Sequence, residues 1–361
     1  MDTNFKLLSR LTREHALDGG LSLNSAITTV LDDRVERGLI PEHQESLARN
    51  ELEKSLTGFA FLQPYLDDAE IEEVWINRPG EIWIAKHGQH QRLRLEFTTE
   101  ELQTQLERLI RASGRRLDRT TPFIDAQLGS GYRLHAVIPD ITRAHVSLNI
   151  RKFSKKVVTL EELVSGNVLT RSQSSYLQQE LNRGANLLIS GATQAGKTTL
   201  LSALISSLNE SERIVSVEDT FELRCLLPDW VALQTRPASS EGRNEIDLRR
   251  LVRETLRMRP TRLVVGEVRG PEALDMLIAM NSGIPGLCTL HANSSEEALT
   301  KIQTLPLLAG GNISSKFLKS VIKSSLNLFV HCERDLNGRR QVASIMKLAS
   351  AKRLSLEEVS F

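Results

Sequence analysis

Apolar positions in residues 1–57 are sparse and fall in short helical groups, Leu8 with Leu11 and then Ile27, Val30 and Leu31. Gly19-Gly20 and the stretch 38–41 interrupt them, and ten acidic side chains stand against seven basic ones. The pattern predicts a polar helical extension, an accessory bundle or docking element without chemistry of its own. From residue 58 the apolar runs shorten and alternate. Residues 71–76 and 81–85 read as strands around the turn Asn77-Arg78-Pro79-Gly80, and 91–97 as a third. Thr99, Glu100 and Glu101 open a helix with Leu102, Leu106, Leu109 and Ile110 on one side. Strand-like runs return at 133–138 and 145–150. A compact α+β domain is expected over 58–153, then a linker over 154–175 with a short helix around 161–164.

From residue 176 onward, unbroken apolar strands alternate with helices. Strands are expected at 186–190, 213–217, 262–265 and 286–290, and helices at 197–208, 247–258, 271–282 and 295–304. A long polar excursion follows the second strand. The alternation predicts a parallel sheet covered on both faces, filling an α/β domain over 176–361.

Composition narrows the function. The chain has 361 residues, enough for two domains, and its 46 Lys and Arg against 45 Asp and Glu give a net charge of +1. That balance does not suggest a general nucleic-acid coat, and no stable nucleic-acid binding is expected; a local basic channel stays possible. Cys225, Cys288 and Cys332 are too scattered for a disulfide framework or a zinc knuckle. The first residues lack a signal-peptide core, and no run reaches the roughly 20 apolar residues of a membrane span. A cytoplasmic protein is expected, docking from outside if it works at a membrane.

The chemistry concentrates in one loop. Gly191, Ala192, Thr193, Gln194, Ala195, Gly196, Lys197 and Thr198 match G-x-x-x-x-G-K-[ST] between an apolar strand and a helix that opens with Thr199. Such a loop wraps its amides around the β-phosphate of a nucleotide, at the positive end of the helix. Lys197 is expected to reach the β- and γ-phosphates, and the Thr198 hydroxyl to hold Mg²⁺. Two carboxylates end nearby strands. Glu267 is assigned to the metal, through water, and Glu218 to polarising the attacking water; the two could exchange roles. Asp219 and Glu222 would support that geometry. His291 ends another strand, as a γ-phosphate sensor, a link to the domain interface, or a buried structural histidine. Arg133, Arg143, Arg151, Arg236, Arg243, Arg257 and Arg259 are candidates for an arginine finger, and the residue pattern singles out none.

The motifs together exceed a generic phosphate loop. Residues 191–198, followed by Val217-Glu218-Asp219-Thr220-Phe221-Glu222-Leu223, resemble the glycine loop and acidic box of the type II/type IV secretion ATPase superfamily. Residues 256–270, with Gly266-Glu267-Val268-Arg269-Gly270, resemble its Walker B segment, and 286–293 its histidine box. The resemblance spans roughly residues 60–345. The nearest branch is the CpaF/TadA-like ATPases of tight-adherence (Flp) pilus machines. Gly114-Arg115-Arg116-Leu117-Asp118, Phe123-Ile124-Asp125-Ala126, Gly131-Tyr132-Arg133-Leu134, Arg151-Lys152-Phe153, Thr235-Arg236-Pro237 and Glu241-Gly242-Arg243 carry it. That branch has glycine or another small residue at positions 192, 194 and 195, so Gln194 stands to alter closure on nucleotide.

The resemblance implies a RecA-like P-loop core behind a PAS-like α+β domain, in a homohexameric ring. It implies that Arg133 and Arg151 approach the γ-phosphate when the upstream domain swings over the core. It further implies Mg²⁺-dependent ATP hydrolysis at the cytoplasmic face of the inner membrane, driving a polytopic platform protein that lifts pilin into a fibre. A conjugative ATPase supporting DNA transfer and a pilus retraction motor share the same nucleotide chemistry. An assembly scaffold that barely hydrolyses ATP fits the intact Lys197, Thr198, Glu218 and Glu267 poorly.

Overall fold

The computed structural model describes residues 7–8, 10–12, 14–15, 23–56, 60–86, 88–113, 116–128, 131–153, 157–238, 243–335, 338–349 and 354–361. Gly19, Gly20, Gly114, Arg115, Glu241 and Gly242 of the motifs above lie outside them. The chain divides into two compact units, residues 1–152 and 153–361.

In the first unit, helices α1 (Leu23–Glu36) and α2 (Glu42–Leu56) close on Leu8, Ile27, Val30, Leu31, Ile40 and Leu52. The same unit holds an antiparallel sheet of β1 (Ile71–Ile76), β2 (Glu81–Lys86), β3 (Gln89–Arg94), β4 (Phe123–Gln127), β5 (Arg133–Val137) and β6 (Ser147–Arg151), in the order β3-β2-β1-β6-β5-β4. Helix α3 (Thr99–Ser113) opens at Thr99 as the pattern suggests, behind a capping box on Thr98. The Thr98 hydroxyl accepts from the Glu101 amide at 3.2 Å, and the Glu101 carboxylate accepts from the Thr98 amide at 2.9 Å. Leu102, Leu106, Leu109 and Ile110 of α3 join Val74, Ile82, Leu134 and Ile150 in the core. Period-two alternation leaves Trp75, Trp83, Arg133 and Arg151 partly exposed.

The second unit is a sheet of eight strands in the order β14-β13-β12-β7-β11-β10-β8-β9. β7 (Leu187–Gly191), β8 (Ile214–Glu218), β9 (Trp230–Gln234), β10 (Arg262–Val268), β11 (Gly286–His291) and β12 (Leu328–Arg334) run parallel. β13 (Arg340–Leu348) and β14 (Leu356–Glu358) return antiparallel at one edge. Alternate residues feed two cores. Leu187, Ile189, Val264 and Leu328 pack with α4 (Leu160–Ser165), α5 (Arg171–Asn182) and α6 (Lys197–Ser206). Leu188, Leu263, Val265 and Phe329 pack with α7 (Leu248–Thr255), α8 (Glu272–Asn281), α9 (Ser295–Thr304) and α10 (Ser315–Ser325). Burial on both faces explains the unbroken apolar runs.

The polar excursion contains β9, an edge strand half-buried along its length and so without an apolar run to announce it. The segment expected as a linker carries, over its described part, α4 and the start of α5. Both open with capping boxes, Thr159 with Glu162 and Thr170 with Gln173, and Leu160, Leu163 and Leu169 belong to the first of the two cores. Asn186 aligns three strand starts. Its side chain accepts from the Gly286 amide at 2.6 Å and donates to the Ser325 carbonyl, while its own amide donates to the Asn327 side chain at 2.8 Å.

Candidate nucleotide site

The loop after β7 is shaped by what glycine permits. A Cβ at Gly191 would lie 2.3 Å from the Cys332 carbonyl oxygen, so β12 can abut the loop only because residue 191 has no side chain. Gly196, with φ +94°, caps α6 in the left-handed region, and Gln194 shares that region at φ 62°. Ala195 is buried beneath the loop, while Ala192, Thr193 and Thr199 are exposed and Thr198 is half-buried at the first turn of α6.

Lys197 is buried and donates to the carbonyls of Gly191 (3.0 Å) and Ala192 (2.8 Å) and to Nδ1 of His291 (3.2 Å). A lysine can only donate, so Nδ1 accepts and the ring proton sits on Nε2. Burial, and then the Lys197 charge, push the His291 pKa below its ordinary value and keep the ring neutral. Nε2 lies 2.9 Å from Glu267 Oε1. That oxygen is buried and lacks an aligned hydrogen bond, while Oε2 accepts from Arg269 at 2.6 Å. Burial alone would raise the Glu267 carboxyl; the Arg269 hydrogen bond and charge, with His291 and Lys197, outweigh it and hold the group below its usual range. Arg269 also reaches Asp219 Oδ2 at 3.4 Å. One polar chain thus runs from the loop lysine through His291 (β11), Glu267 (β10) and Arg269 to Asp219 beyond β8.

Glu218 stands apart from that chain. It ends β8 and is 2% exposed. Its Oε2 accepts from the amides of Glu222 and Leu223, both at 2.8 Å, and its Oε1 is buried without a hydrogen-bond partner. Burial raises its pKa to about 7. Gly266 makes the room: a Cβ there would lie 2.8 Å from Glu218 Cγ.

Arg133 and Arg151 lie together in the first unit as direct cross-strand neighbours of β5 and β6, with Glu73 beyond Arg151. Asp125 accepts from Arg133 at 3.3 Å. Residue reading attached no partner to Arg269 and passed over Lys301 and Glu272. Lys301 donates to the His291 carbonyl at 2.8 Å, and the Glu272 carboxylate accepts from the amides of Arg269 (2.6 Å) and Gly270 (2.7 Å). The sign for Arg269 was its place two residues after a strand-end carboxylate.

The residues suit a nucleotide with Mg²⁺. The loop keeps glycine at both ends, where a Cβ at 191 would strike the Cys332 carbonyl and where 196 is left-handed, and it opens a ten-residue helix whose N-terminal end favours an anion. Among the described residues no group of three His, Cys, Asp or Glu is placed to hold a metal unaided.

A family model described as "Type II/IV secretion system protein" matches residues 55–357. The chain belongs to this family. A putative conjugal transfer protein of Mycobacterium tuberculosis is 35% identical over 309 residues, 83% of this chain and 87% of that one. The probable conjugal transfer protein TrbB of Sinorhizobium fredii is 31% identical over 280 residues, 76% of this chain and 82% of that one. Among solved structures, the Legionella pneumophila ATPase DotB superposes with a TM-score of 0.58 at 19% identity, over 81% of this chain and 80% of that one. That likeness shows a RecA-like P-loop core with an additional N-terminal domain. As a type II/IV secretion family member with a complete phosphate loop, the chain is an ATP hydrolase. Among the described residues no helix is long and apolar enough to cross a membrane.

Proposed function

We propose that this chain is the hydrolytic motor of a type IV secretion machine of the conjugal kind, acting as a homohexamer at the cytoplasmic face of the inner membrane on a membrane-embedded partner. The polar chain from Lys197 to Asp219 carries the motor reading. It joins the phosphate loop to three strand ends, so a change at the loop is felt across the sheet edge. The conjugal transfer proteins of Mycobacterium and Sinorhizobium favour this machine. The tight-adherence motifs, among them Arg151-Lys152-Phe153 and Thr235-Arg236-Pro237, favour a second reading, assembly of Flp pili through a polytopic platform protein.

In either machine the residue roles are the same. Loop amides from Ala192 to Thr199 and the Lys197 ammonium take the phosphates, with Lys197 exchanging its carbonyl partners for phosphate oxygens. The Thr198 hydroxyl and, through water, Glu267 would hold Mg²⁺, which would supply charge neutralisation at the phosphates. Glu218 takes a proton from the attacking water. Neutral His291 keeps Glu267 aligned and reports on the γ-phosphate. Arg133 and Arg151 come from the first unit to the same phosphate. We also propose a PAS-like identity for that unit, which its strand order, with β1 beside β6 at the centre, supports.

Two measurements test the proposal. Mg²⁺-ATP turnover per subunit should rise cooperatively with protein concentration to a plateau as rings form; linear behaviour from a species that sediments as a monomer would sink the ring. Deleting the gene in its host should abolish plasmid transfer and spare surface fibres. Loss of fibres with transfer intact would move the assignment to the pilus motor.

A further inference from the structure

The phosphate loop is gripped from both sides of β7. His291 and Glu267 approach from β11 and β10; the hairpin of β12 and β13 lies on the other side. Arg334 and Arg340 form the last described cross-strand pair at the loop end of that hairpin, and both reach Gln194. Arg340 Nε donates to the Gln194 carbonyl at 3.1 Å, and Arg334 Nη1 donates to the Gln194 side-chain oxygen at 3.3 Å. The Arg340 stem lies along Gly196, where a Cβ would meet its Cδ at 3.4 Å. Arg334 Nε also donates to the Gly338 carbonyl at 3.2 Å, bracing the hairpin that carries both guanidiniums.

Gln194 is where such a grip is needed. At φ 62° a residue with a side chain carries a steric penalty that glycine escapes. This left-handed turn stands just ahead of the residues that open α6, and the chain has glutamine there. One guanidinium holds the carbonyl and the other the side chain, so the unfavoured conformation is fixed from outside the loop.

We propose that Arg334 and Arg340 are positioning residues for nucleotide binding, holding the phosphate loop in shape through Gln194. The inference rests on the nucleotide reading of the loop. It makes the β12–β13 hairpin part of the binding site and ties phosphate affinity to that hairpin's placement.

The test is a double-mutant cycle read by fluorescence titration with N-methylanthraniloyl-ADP and Mg²⁺, on full-length wild type, Arg340→Ala, Gln194→Gly and the double variant. Arg340→Ala should weaken binding about tenfold when Gln194 is present and less than about threefold in the Gln194→Gly background, since glycine holds the left-handed backbone unaided. An equal loss in both backgrounds would assign Arg340 a general packing role and overturn the inference, as would no loss beside Gln194. Wild type that binds no labelled ADP would instead overturn the nucleotide reading, and this inference with it. Thermal melting without nucleotide checks that each variant is folded. Where Arg340→Ala fails to fold, Arg340→Lys, which keeps the stem and the charge and loses the Nε donor, takes its place with the same expected coupling.

Discussion

Glu218 meets two opposing demands. As a base it must be ionised, yet it is buried with one oxygen unpartnered, and its pKa stands at about 7. Turnover should therefore rise with pH through about 7 and level off above it; a profile flat from about pH 6 to 8 would remove Glu218 from the proton transfer. Glu218→Gln should abolish nearly all turnover while leaving nucleotide binding in place, and unchanged turnover would end its assigned role. Stability follows the same group with the opposite sign. A carboxyl whose folded pKa is raised favours the folded state below its ordinary value near 4.5, and that advantage is lost as pH rises through about 7. The difference corresponds to about 3 kcal/mol. Thermal melts should thus show wild type losing stability relative to Glu218→Gln between about pH 5 and pH 8, a trade of stability for function.

At the level of strands, β10 lies directly beside β8 and lends it space. Gly266→Ala would drive a methyl into Glu218 Cγ, whose carboxylate is pinned by two amides and has nowhere to retreat. Turnover should fall by roughly tenfold or more, with the affinity for labelled ADP little changed, because the phosphate loop lies two strands away across β11. An affinity loss as large as the rate loss would place the damage in the loop instead. Legibility followed the same geometry. The phosphate loop could be read because strand, glycines, lysine and helix are consecutive, and the strand-end positions of Glu218, Glu267 and His291 followed from apolar runs that stop at a polar residue. The Gly266 space, the grip on Gln194 and the Arg269 bridge could not, since each joins residues far apart in the chain through register, which no local pattern records. β9 escaped because an edge strand is half-exposed. β13 escaped because its alternation, with only Val342 and Ile345 buried, is broken by a bulge in its pairing with β12.

Across the whole molecule, Arg133 and Arg151 sit side by side on one sheet, with Asp125 paired to Arg133 and Glu73 across from Arg151. Arg151→Ala should lower turnover by roughly 10³-fold, in the range of an arginine finger, with thermal melting showing the first unit still folded. Turnover within threefold of wild type would exclude that role. The strand order also bears on how the protein is made. β7 lies between β11 and β12, and Ser190 hydrogen-bonds with Val330 and His331, 140 and 141 residues downstream. At a synthesis rate of about 5–20 residues per second, the apolar strand beneath the phosphate loop waits on the order of ten seconds for its second flank. Through that interval the segment destined to hold ATP has an open, sticky edge that no nucleotide can protect, a stretch of nascent chain suited to a chaperone's cover.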